Sequence, residues 1–176
     1  MRKNSGFTLI ELIVVIVILA ILTAISVPIF LSWLPDYRLR SAADDLYSNL
    51  QYAKMGAIKN NVNWAVAFDT GANSYTVRSN HTGVGTGTIV KTVDLSSYGS
   101  GVGYGKGNAT ESVPGGTIPA DFVSYTTDEA VFNTRGMVNN LGYVYLSNNP
   151  GAARAGGTPA LAGVVVLRRW TGSDWK

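Results

Sequence analysis

Residues 7–31 form an apolar run that carries a single charge, Glu11. A bilayer core about 30 Å thick takes about 20 apolar residues as helix, so this run is long enough to span it. Before it stand Met1-Arg2-Lys3-Asn4-Ser5-Gly6, basic and without an acid. Positive charge stays on the cytoplasmic side, so the residues after Leu31 are expected to face outward. The run is longer than the roughly 7–15 apolar residues of a signal peptide, and no small-x-small cleavage pattern follows it. A plain anchor accounts for the length but not for Glu11.

A carboxylate inside a spanning helix costs about 2.5–3.5 kcal/mol on insertion scales, so it needs a partner. No basic residue lies between Phe7 and Leu34 to supply one from the same helix. A free α-amino group, with a reference pKa of about 8, would serve. Cleavage after Gly6 creates one on Phe7, four residues before Glu11. The amine can pair with Glu11 of its own chain or of a neighbour inserted one step away. A carboxylate that needs a neighbour's terminus sets the register of a helical stack.

Gly6-Phe7-Thr8-Leu9-Ile10-Glu11-Leu12 resembles the processing motif of type IV prepilins and type II secretion pseudopilins. That resemblance implies a prepilin peptidase that cuts between Gly6 and Phe7 and N-methylates Phe7. It implies an acid, here Glu11, that pairs with a neighbouring subunit's amine. Pro28 stands where such helices carry a proline. The implied partners are the peptidase, other pilin or pseudopilin subunits and the bacterial inner membrane.

The chain has 176 residues, and removing the anchor leaves about 140, the size of one domain. There is no cysteine, which excludes disulfides and thiolate metal sites. The formal charge is +3, but Arg2 and Lys3 belong to the leader. From residue 135 onward Arg135, Arg154, Arg168, Arg169 and Lys176 face one acid, Asp174. The expected organisation is a leader at 1–6, a transmembrane and assembly helix at 7–31, its soluble half at 32–61, and a periplasmic β domain at 62–176.

Pro28 lacks a backbone donor and crowds the preceding turn, so a kink or loosening is expected there. After Pro35 helix is expected to resume. Leu39, Ala43, Leu46, Leu50, Ala53 and Ala57 recur at steps of four and three and form one apolar stripe. Arg40, Asp44, Gln51 and Lys54 lie off it. Residues 62–69 alternate with period two, 70–73 read as a turn, and 74–79 return with Tyr75 and Val77 inward. Further strands are expected at 88–95, 130–133, 142–147 and 163–170, the last two joined by a Gly/Ala/Pro-rich loop. The fold class is α+β, a long N-terminal helix packed on antiparallel sheet.

Arg38-Leu39-Arg40-Ser41-Ala42-Ala43 and the helix from Ala53 resemble the pseudopilin H and FimT-type branch. So do Phe132, Gly136 and Gly163-Val164-Val165-Val166-Leu167. This resemblance implies two small sheets rather than one. DNA-binding members of the branch end in Gly-Arg-x-Arg. Here Gly172 matches, while Ser173 and Trp175 stand at the two arginine positions.

His81 is the only histidine and reads as a solvated loop residue, while Asp44-Asp45 and Asp128-Glu129 lack the spacing of a calcium loop and read as solvated faces. The glycines at 83–87 and 99–107 read as loops or thin edge strands. They lack the GxxxxGK[ST] pattern and following helix of a phosphate cradle. No cofactor or metal is expected. Arg154, Arg168, Arg169 and Lys176, interleaved with Trp170 and Trp175, are the candidate DNA-binding set, because cations with aromatics suit a phosphate backbone with stacked bases. In a strand, Arg168 and Arg169 point to opposite faces. The expected function is a minor pseudopilin or pilin, a structural subunit and not an enzyme. The alternatives are a minor pilin that binds DNA for natural transformation and, from another class, a membrane-anchored periplasmic enzyme.

Overall fold

A computed structural model describes residues 7–113 and 115–176. Gly6 and the leader lie outside the described residues. The chain divides into two compact units that meet at Leu34 and Pro35. One helix, α1 (Leu9–Asn60), contributes to both.

The helix is unbroken through Pro28 and Pro35. The expected resumption after Pro35 is therefore replaced by one continuous element. A proline removes one i→i−4 donor, so the change at Pro28 is the loss of the bond to the Ala24 carbonyl. At Pro35 it is the bond to Leu31. Two hydroxyls in this half bond locally. Thr23 Oγ1 donates to the Leu19 carbonyl at 2.9 Å, and Ser32 Oγ to Ile29 at 2.7 Å. Neither hydroxyl then demands a partner from an apolar surrounding.

From Leu39 the helix becomes the spine of the second unit. Leu39, Ala43, Leu46, Leu50, Ala53 and Ala57 are all buried, as the stripe predicts. Ala42, Asn49 and Gly56 widen it. Small residues let the sheets approach closely. A Cβ added to Gly56 would stand 2.7 Å from the Trp64 ring.

Two four-stranded antiparallel sheets pack on this spine, as the resemblance implies. The first has the order β3-β2-β1-β5, formed by β1 (Trp64–Asp69), β2 (Ser74–Ser79), β3 (Thr88–Asp94) and β5 (Glu129–Phe132). The second has the order β4-β6-β7-β8, formed by β4 (Gly103–Tyr104), β6 (Gly142–Ser147), β7 (Ala153–Ala160) and β8 (Val164–Arg169). Trp64, Val66, Phe68, Tyr75 and Val77 from the first sheet join Val144, Leu146 and Val165 from the second in one core with α1.

The second sheet is covered on its other face as well. Tyr143, Tyr145 and Ala155 are buried there beneath Val113, Ile118, Phe122 and Trp175. Double coverage explains why β6 is buried along almost its whole length.

The Gly/Ala/Pro-rich segment is not a loop. It is β7, an interior strand whose sequence is Ala-Arg-Ala-Gly-Gly-Thr-Pro-Ala. Space explains the composition. A Cβ on Gly157 would lie 2.6 Å from Tyr143 Cδ1 and nearer still to the Gly142 carbonyl oxygen. On Gly156 it would press on Leu46 at 3.1 Å. Pro159, which has no ladder donor, falls where the β7–β8 register shifts.

Polar stitches tie the layers. Asn49 Nδ2 donates to Tyr75 Oη at 2.8 Å, and Lys91 Nζ donates to Asn49 Oδ1 at 3.0 Å. Burial pushes the Tyr75 hydroxyl well above its ordinary pKa, so it stays protonated. Lys54 Nζ donates to the Gly163 carbonyl at 2.9 Å, fixing the helix to the β7–β8 turn. Gly157→Ala should destabilise the protein by about 1–3 kcal/mol through overpacking, read from denaturant midpoints of the full chain in detergent. Gly71→Ala, where the new Cβ would meet Asp69 Oδ1 at 3.5 Å, should leave the midpoint within about 0.5 kcal/mol of the unaltered chain.

Candidate functional site

The first turn of α1 is built around Thr8. Its Oγ1 accepts from the Glu11 N–H at 3.3 Å, and its carbonyl accepts from the Leu12 N–H at 3.2 Å. A threonine followed three residues later by glutamate is a helix-start signature. It sets Glu11 in the first turn, where the helix dipole favours negative charge. Glu11 is exposed. Phe7, whose backbone would carry the new amine, is 79% exposed.

The apolar side chains of this half are also uncovered. Leu9, Ile10, Leu12 and most residues to Leu31 are 43% or more exposed. The helix is long and apolar enough to cross a membrane, and none of that apolar window is buried in the chain. Pro28 sits inside it.

The candidate basic set divides. Arg154 on β7 stands opposite Arg169 on β8. Both line a cavity of about 240 Å³ with Asp36, Leu39, Ala152, Ala153, Trp170 and Thr171. Burial lowers the Arg154 pKa, with Asp44 and Asp36 opposing and Arg40 and Arg169 reinforcing the shift. Among the described residues neither Arg154 nor Arg169 makes a salt bridge. Arg168 faces elsewhere, into a cleft shared with Glu111, Tyr143 and Trp175. The parity of the strand thus separates the two neighbours.

Lys176 is held by its backbone, which exchanges bonds with Arg169 at 2.7 and 3.0 Å. The tryptophans between these cations serve the fold. Trp170 is buried, and its ring centroid lies 5.4 Å from that of Trp175. Trp175 packs on Tyr145 and donates from Nε1 to the Glu111 carbonyl at 2.7 Å.

His81 corrects the sequence reading. It is 8% exposed, and its Nε2 lies 2.9 Å from Oε2 of Glu129, itself 3% exposed. An ionised carboxylate only accepts, so the ring nitrogen is the donor. Glu129 Oε1 also accepts from the Gly85 N–H at 2.8 Å. The pair therefore clamps the glycine-rich 82–87 loop onto β5. Two residues 48 apart in sequence carry no local pattern that joins them.

Residues 1–27 match the family described as the prokaryotic N-terminal methylation motif. The fold is similar to the type IV minor pilin FimU of Pseudomonas aeruginosa in two crystal forms. One aligns at 14% identity over 78% of this chain and 96% of that one, with a TM-score of 0.50. The other aligns at 13% over 80% and 94%, with a TM-score of 0.54. The fold is type IV pilin-like. No curated protein matches the sequence. At these identities the likeness is one of fold, while the methylation motif is carried by the sequence itself.

Truncating one partner of a buried hydrogen bond leaves the other unsatisfied. His81→Ala should therefore cost about 1–3 kcal/mol in a denaturant titration. The double change His81→Leu with Glu129→Leu should recover part of that loss.

Proposed function

We propose that this pilin-like chain is a minor pilin or pseudopilin, a structural subunit rather than an enzyme. Residues 1–6 are its leader, cut between Gly6 and Phe7 by prepilin peptidase, and Phe7 is N-methylated. Residues 7–31 hold it in the bacterial inner membrane, with residues 62–176 as a β domain in the periplasm. Residues 32–61 join the two as the soluble half of the helix. From that store it enters a type IV pilus or a type II secretion pseudopilus. The observation that carries this reading is an uncovered apolar helix bearing one acid beside a methylation motif.

The mechanism follows from what the helix lacks. Its side chains have no cover within the chain, so bilayer or neighbouring helices must provide it. Moving between those two surroundings costs little, because lipid tails and packed helices are both apolar. Glu11 supplies direction. Its carboxylate is costly in either surrounding until an amine neutralises it, and the Phe7 amine of an adjacent subunit meets that need. Pro28 leaves the Ala24 carbonyl without its helical donor, a point where the helix is easiest to deform.

Glu11→Ala should be inserted and cleaved normally but should fail to enter filaments. Immunoblots of membranes and sheared filaments read both steps. Normal incorporation would sink the proposal.

A second reading, DNA binding for natural transformation, rests on Arg154, Arg168, Arg169 and Lys176. What supports it is the Arg154–Arg169 pair, without a carboxylate partner among the described residues. What weighs against it is that both tryptophans are spent on packing. For a subunit with no DNA role, labelled DNA should not bind the full chain in detergent at low salt. Binding that disappears on changing Arg154, Arg168 and Arg169 to Ala would establish the second reading.

A further inference from the structure

Arg154 and Arg169 stand directly opposite each other on β7 and β8. Side chains so placed share one face of the sheet, and like charges there repel. Both line the cavity that Asp36, Leu39 and Trp170 complete. Among the described residues neither guanidinium makes a hydrogen bond or an ion pair.

The acids nearby are engaged elsewhere. Asp36 Oδ1 accepts from Asn148 Nδ2 at 2.9 Å, and Asp44 pairs with Arg40 at 3.6 Å. The lining therefore sets two cations against one acid. Burial strips water from Arg154, and a donor that loses water without gaining an acceptor is destabilising. Trp170 is in the same state. It is 9% exposed, and its indole N–H has no acceptor among the described residues. What the lining lacks is an anion that accepts several hydrogen bonds at once. The planar fork of an arginine matches the oxygens of a phosphate.

Chain connectivity says which phosphate. Asp36 and Leu39 belong to α1 and follow Leu31, the end of the apolar run, by five and eight residues. That is about 8–12 Å along a helix. Trp33 and Tyr37, in the same interval, are 73% and 71% exposed. Exposed aromatics of this kind sit at the level of lipid headgroups. The cavity thus begins where the helix leaves the hydrocarbon.

We infer that Arg154 and Arg169 bind the phosphate of an anionic phospholipid headgroup while the subunit is stored in the membrane. The lipid supplies the acceptor that the fold leaves out, and basic side chains at a membrane surface favour anionic lipid. This inference rests on the membrane reading above.

Native mass spectrometry of the delipidated full chain in a neutral detergent tests it, with phosphatidylglycerol and phosphatidylcholine offered at equal concentration. The unaltered chain should retain phosphatidylglycerol at least ~10-fold more than phosphatidylcholine. Arg154→Gln with Arg169→Gln should lose that preference. Arg169→Gln alone, at an exposed position, should lose part of it. Arg135→Gln with Lys59→Gln, an exposed pair matched in charge, should keep it. Equal retention of both lipids by the unaltered chain, or a preference that survives loss of both arginines, overturns the inference. Displacement of phosphatidylglycerol by inorganic phosphate at the same concentration also overturns it, making this a site for free phosphate. Displacement by a short DNA duplex overturns it in favour of nucleic acid. If carbonate washing releases the chain from cell membranes, the membrane reading itself fails and takes this inference with it.

Discussion

A helix half that the rest of the chain cannot cover is the constraint on which this molecule depends. Its apolar residues are exposed along their length, and such a surface persists only in a bilayer or against other helices. Glu11 adds a second constraint, because a carboxylate in that setting requires a counter-charge. Thr8 caps the turn through the Glu11 N–H. The acid is therefore presented at a defined place on the helix rather than on a frayed end. On the proposed function, this one geometry serves both storage in a membrane and registry in a stack.

The second half of the same helix has the opposite character. From Leu39 to Ala57 it gives its small, apolar face to two sheets and becomes the centre of a conventional core. Close approach is the organising device. Ala42, Ala43, Ala53, Gly56 and Ala57 let β1 and its Trp64 lie against the helix, and Gly156 does the same for β7 beneath Leu46. Polar links from Asn49 and Lys54 then fix each sheet to the helix at a chosen height.

Much of this was legible because the periodic signals are strong. The step-of-four-and-three stripe named most of the buried residues of α1, and period-two alternation located β1 and β2. The resemblance supplied the division into two sheets. Other features escaped because composition misleads where space decides. β7 reads as a loop by its Gly, Ala and Pro content, yet its glycines are demanded by Tyr143 and Leu46. Prolines 28 and 35 suggested two helical pieces, yet one missing donor each leaves the helix continuous. The His81–Glu129 clamp escaped for another reason: it joins distant residues through the fold. In the basic set, strand parity anticipated the divergence of Arg168 and Arg169.

The central claim is that the working subunit begins at Phe7, with an amine that exists only after the leader is removed. Intact-mass measurement of the chain recovered from sheared filaments tests this most directly. The account predicts a single mass for residues 7–176 carrying one added methyl group on the Phe7 nitrogen. Filament-borne chain that still contains residues 1–6 would contradict it.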